Sequence, residues 1–139
     1  MAGETTSLTA AQAVVLRGLS NAELKAILFP SISYATTELE VGDIKQIGYL
    51  PAWFKPVAWV WLPTDMDTNV SPLVSHTVKA GSTAVTIALT GAQSATAQIV
   101  PSLAFTPTGS PALVTTTAVA AATAASGTAT LIALGVYVP

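Results

Sequence analysis

Thr128-Ala129-Thr130-Leu131-Ile132-Ala133-Leu134-Gly135-Val136-Tyr137-Val138 is the stretch that decides the fold. Read with a period of two, Ile132, Leu134, Val136 and Val138 point one way, and Ala129, Leu131, Ala133 and Tyr137 the other. Successive side chains of a strand point to opposite faces, so this is a strand with two usable faces. The second face, of Ala, Thr and Tyr137, is mild enough for water and apolar enough to be covered. The same alternation places Val85, Ile87 and Leu89 on one face of Thr83 to Leu89.

Working outward, the period of two recurs between turn signals. Ile32, Tyr34, Thr36 and Glu38 alternate with Ser33, Ala35, Thr37 and Leu39, and Gly42-Asp43 turns the chain. Ile44 to Leu50 is the returning strand, and Val57 to Leu62 lies between Pro56 and Pro63. Weaker strands are expected over Val70 to Val78, Thr96 to Phe105 and Leu113 to Ala120. The Ala-rich run Ala118 to Ala125 is the one internal stretch with helical propensity. About eight short strands with Pro/Gly turns over residues 30–139 predict a single all-β domain, a β-sandwich, jelly roll or small barrel.

Residues 1–29 read differently, as an N-terminal arm or short helices. Thr9 to Leu16 favours a helix, Ser20 and Glu23 have capping-box spacing, and Ala22 to Leu28 makes two helical turns stopped by Pro30. As an extended arm, the same segment would bury Leu8, Val14, Leu16 and Leu19 on a neighbouring subunit.

Charge divides the chain. All five basic and all seven acidic residues lie between Glu4 and Lys79, and no Asp, Glu, Lys, Arg or His follows Lys79. An uncharged half must hide surface or cover it with hydroxyls, so it is expected to build the oligomer. The charged half is expected to meet partners and solvent. Five scattered basic residues make no stripe for nucleic acid. With no cysteine there is no disulfide framework or thiolate site. No basic segment followed by an apolar run opens the chain, so no signal peptide is expected. Mean hydropathy is +0.61, but the best window for a span, Leu113 to Val138, is broken by Thr115, Thr116, Thr117, Thr123, Ser126, Gly127, Thr128 and Thr130 and lacks basic flanks, which argues against a membrane helix.

Candidate sites are few. His76 is the single histidine and has no G-x-S-x-G or S-x-x-K partner motif, so it is read as a solvated or hydrogen-bonded structural residue. Asp65, Asp67 and Asn69 open like a calcium loop, but Val70 and His76 stand where Gly and Glu are needed, so they read as solvated loop acids. No metal site, cofactor or catalytic group is expected. Trp53, Phe54, Trp59 and Trp61 form the one aromatic concentration. Trp59 and Trp61 share a strand face, as core or interface anchors or, alternatively, as a sugar-stacking platform. Trp53, Phe54, Trp59, Trp61, Leu16, Leu19 and Tyr137 are the interface candidates.

Ile47-Gly48-Tyr49-Leu50-Pro51-Ala52, leading into an aromatic strand, is similar to an I-G-x-L-P-A turn of small virion proteins of tailed bacteriophages. Gly127 to Leu134 resembles their uncharged last strand, and the similarity covers about Ile32 to Val138. The sequence departs from the pattern at Trp53 and Phe54, which follow L-P-A where relatives place Gly. The resemblance implies a homo-oligomer, expected to be a trimer, that decorates or cements the head shell against the major capsid protein. The alternative is a head-fibre or tail component that binds host glycans.

Overall fold

The structure is a computed structural model and describes residues 24–84, 88–102 and 105–138. The helix expected over Thr9 to Leu16, the capping box Ser20–Glu23, Leu16, Leu19, Val85 and Ile87 lie outside the described residues. The described strands are β1 (Lys25–Leu28), β2 (Ile32–Tyr34), β3 (Ile44–Leu50), β4 (Phe54–Pro63), β5 (Ser75–Ala80), β6 (Thr83–Ala84), β7 (Gln98–Pro101), β8 (Ala112–Val119) and β9 (Gly127–Tyr137). They form two antiparallel sheets. The larger is ordered β1-β9-β4-β7, with β2 also on β9, and the smaller β3-β8-β5-β6. The sheets enclose one core, so the fold is an all-β sandwich.

The long strand Gly127–Tyr137 is the centre of the larger sheet, paired with β1, β2 and β4. Its faces are used the other way round from the sequence reading. Ala129, Leu131 and Ala133 are buried, while Ile132, Leu134 and Val136 lie on the half-exposed side. The register supplies the reason. Trp59 stands opposite Ala133, Trp61 opposite Leu131 and Pro63 opposite Ala129. Large rings on β4 fill the core volume, so β9 must present small side chains to it. At Gly135 a Cβ would stand 2.1 Å from the Lys55 carbonyl oxygen, so only glycine fits beside that strand. The larger aliphatic side chains are left facing outward.

Further departures have local causes. Lys25–Leu28 is a strand, not the last helical turns, because four register pairs with β9 outweigh the capping signal. The alternation after Ile32 stops at Tyr34, and a 3-10 turn covers Thr36–Glu38, with the Ala35 N–H donating to Glu38 Oε1 at 2.9 Å. β5 begins at Ser75, not Val70. Ala118 to Ala125 forms no helix, because the last residues of β8 pair with β5 and the chain then turns. Pro56 is tolerated inside β4 at a register shift between Pro56 and Ala58.

The sequence division by charge is not a division in space. The larger sheet interleaves β1, β2 and β4 with β7 and β9, and the smaller sheet pairs β3 and β5 with β8. Each sheet therefore mixes strands from the charged and uncharged halves.

Candidate interaction surface

The outward side of the larger sheet carries a continuous aliphatic row. Leu28 pairs with Ile132, Ile132 with Val60, and Val60 with Ile99. Directly paired residues share a face, so these four side chains run across four strands. Leu28 is 69% and Ile99 73% exposed, at the two ends of the row. A second row, Ala26, Leu134, Ala58 and Pro101, lies beside it. Leu62 and Thr130 continue the face at one end, and Lys55 and Val136 close it at the other. Across these two rows no side chain ionises. An apolar patch of this continuity is the usual mark of an association surface.

A second feature lies just before β4. Trp53 has φ +64°, the left-handed region that glycine adopts freely and a bulky side chain rarely does. This is the position where the resembled L-P-A turn carries Gly. The backbone is held there by two hydrogen bonds: the Trp53 N–H donates to Thr108 O and the Val138 N–H to Trp53 O, both at 2.8 Å. The indole lies over Gly109, where an added Cβ would approach the ring to 3.2 Å. Trp53 remains 45% exposed and Tyr137 47% exposed, with the Tyr137 ring edge-on to Phe54 at 5.5 Å. A left-handed non-glycine residue costs on the order of 1–2 kcal/mol, so the surroundings hold an indole at this corner against local preference.

The remaining aromatic candidates are committed to the core. Phe54, Trp59 and Trp61 are buried, so their rings meet no partner and offer no sugar-stacking face. Of the aromatic interface candidates, Trp53 and Tyr137 are the two with exposed rings.

The loop acids are not a solvated pair. Asp67 is buried and accepts five backbone N–H bonds, from Leu73 at 2.7 Å, Ala122 at 2.8 Å, Thr123 at 2.9 Å, Val74 at 3.1 Å and Asn69 at 3.2 Å. Burial alone would raise its pKa. The N–H groups of Leu73, Thr123, Ala122 and Val74 outweigh that and hold the carboxyl well below the usual range. Its oxygens face donors, the wrong environment for a cation. Among the described residues no cluster of three His, Cys, Asp or Glu side chains has metal-binding geometry. Asp67 instead ties the loop after β4 to the loop between β8 and β9. The missed signal is the Asx-turn spacing of Asp65, Asp67 and Asn69, each accepting from the N–H two residues on.

His76 is fully buried, neither solvated nor hydrogen-bonded through its ring. It lies against Tyr34, centroids 5.1 Å apart, and Trp61, 5.2 Å apart. Neither ring nitrogen has a hydrogen-bond partner among the described residues, so none of them engages it as a nucleophile or an orienting acid. The signal was present in the sequence: Val74, His76 and Val78 alternate onto one face, and all three are buried.

No family model matches the chain, and no curated protein does. Two solved structures share its fold. A chain in the capsid asymmetric unit of cyanophage Pam1 is 24% identical, with a TM-score of 0.68, over 84% of this chain and 85% of that one. A chain in the capsid of Ralstonia phage GP4 is 20% identical, with a TM-score of 0.69, over 84% of this chain and 86% of that one.

Proposed function

We propose that this chain is a structural, non-enzymatic protein of a tailed-phage head, a decoration or cement protein on the capsid surface that works as a homo-oligomer, a trimer. The observation that carries the reading is the fold shared with chains of two phage capsids. The exposed features of the domain support it. The uncharged aliphatic face around Ile132 and Val60 suits packing against neighbouring copies of the chain about the trimer axis, because no charge on it would be buried unpaired. The Trp53 and Tyr137 corner then grips the major capsid protein, with Leu16 and Leu19 as further contacts. Exposed, rigidly held aromatics are the residues that anchor interfaces. The mechanism is mechanical: added interface area raises the free energy needed to pull shell subunits apart.

Light scattering at micromolar concentration and mass spectrometry of purified virions test the reading. A monomer that is absent from virions sinks it. Trp53→Gly separates anchoring from folding. It relieves the left-handed backbone strain, so thermal stability stays within about 1 kcal/mol of wild type, while retention on capsid shells falls at least tenfold. Retention unchanged in Trp53→Gly assigns the grip elsewhere.

A further inference from the structure

The buried histidine joins the two sheets. His76 lies on β5 of the smaller sheet, and the rings it touches belong to the larger one, Tyr34 on β2 and Trp61 on β4. Beside it, the Tyr34 hydroxyl and Thr116 Oγ1 of β8 form a buried hydrogen bond of 2.7 Å between the sheets. His76 is therefore part of the seam that closes the sandwich.

We propose that His76 is an acid-sensitive lock at this seam: the neutral imidazole packs between Tyr34 and Trp61, and protonation drives it toward water and parts the sheets. A charged imidazolium needs acceptors for two N–H groups, and among the described residues neither ring nitrogen has a partner. The described elements packed against it supply no counter-charge. β2 presents Tyr34, whose own pKa burial pushes up to about 12, with the Thr116 hydrogen bond opposing and Glu38 adding. β4 presents Trp61; β8 presents Ala118, its register partner; Leu89 is bonded to it through both backbone groups. Lys45, paired with Glu38, stands over the Tyr34 ring at 5.8 Å, and a cation there gives an imidazolium no relief.

Burial pushes the His76 pKa down to about 4 from its ordinary 6.5. The unfolded chain therefore binds one more proton than the native one between those values. The stability His76 contributes is complete above pH 6.5 and falls as pH drops toward 4. Asp67 acts in a lower window, since its depressed carboxyl loses its contribution only as pH falls below 3.8.

His76 is the single histidine, so one imidazole resonance reports it without assignment ambiguity. NMR titration of the full chain should show that signal keeping its neutral shift in the native spectrum down to pH 5. Denaturant unfolding should show the unfolding constant rising about twentyfold from pH 7 to pH 5. In His76→Leu the same interval should change it less than about twofold. A native-state titration midpoint near 6.5, or an undiminished pH slope in His76→Leu, overturns the proposal. If His76→Leu does not fold, the wild-type titration decides alone.

Discussion

Asp67 and His76 are both ionisable and both buried, and the chain houses them in opposite ways. The Asp67 carboxylate is saturated by five backbone donors, so its charge is more comfortable inside than in water. The His76 ring has no donor or acceptor partner among the described residues, so only its neutral form fits. One burial stabilises a charge and the other forbids one. The difference follows from where each lies. Asp67 sits where two loops turn and leave backbone N–H groups without strand partners. His76 sits within β5, one residue from its start, where the ladders with β8 and Leu89 have already used the backbone groups around it. A buried polar side chain takes what the local backbone has left over.

The most severe test of that contrast is Asp67→Ala. Five N–H groups lose their acceptor together, and about 4 kcal/mol of stability should go with them. Urea unfolding measures it, and a loss under 1 kcal/mol would show that loop packing, not the carboxylate, joins the two turns. Asp67→Asn keeps one acceptor oxygen and should recover part of the loss. Next comes acid. At pH 4 the His76 contribution, about 3 kcal/mol from its depressed pKa, should be absent while the Asp67 contribution remains. Calorimetry from pH 7 to pH 2.5 should therefore show two separate declines; a single decline below pH 4 would remove His76 from the contrast.

Smaller effects sharpen it. Tyr34→Phe deletes the inter-sheet hydrogen bond beside His76 and strands the Thr116 hydroxyl, a loss of about 1–2 kcal/mol in thermal unfolding. Trp61 Nε1 is buried without a partner among the described residues, so Trp61→Phe removes an orphan donor as well as ring area. The two offset, and the midpoint should move by less than about 1 kcal/mol. A loss as large as that of Tyr34→Phe would mean the indole N–H is satisfied. Glu38→Gln should be the least visible. Its salt bridge with Lys45 lowers the Glu38 pKa, followed by the Ala35 N–H, but the pair is solvated and its removal should leave the midpoint unmoved.

What the sequence revealed was whatever depends on the period of two. Ile44–Leu50 was legible to the residue, and Gly127–Tyr137 to within one at each end, because alternation bounded by Pro and Gly has one local solution. Which face turned inward was not legible. That depended on Trp59 and Trp61 arriving opposite Ala133 and Leu131, a match between segments far apart in the chain. Lys25–Leu28 was misread for the same reason, since its partner lies beyond residue 130. Asp67 looked like a loop acid because two of its donors, Ala122 and Thr123, come from a distant turn. Trp53 was named as an interface candidate without its left-handed backbone, yet the departure from Gly after L-P-A marked that very position.

The placement of β9 has a consequence for how the protein comes to be. Lys25 pairs with Gly135, so β9, the centre of the larger sheet, is synthesised after every strand it joins. Until β9 exists, β1, β2 and β4 have no shared neighbour, and their aromatic and aliphatic side chains stand exposed. Closure then joins strands across most of the chain in a late step, the slow, non-local regime of folding. The newborn chain is therefore at its most adhesive just before β9 emerges, and a chaperone that holds unpaired strands should raise its yield more than its final stability.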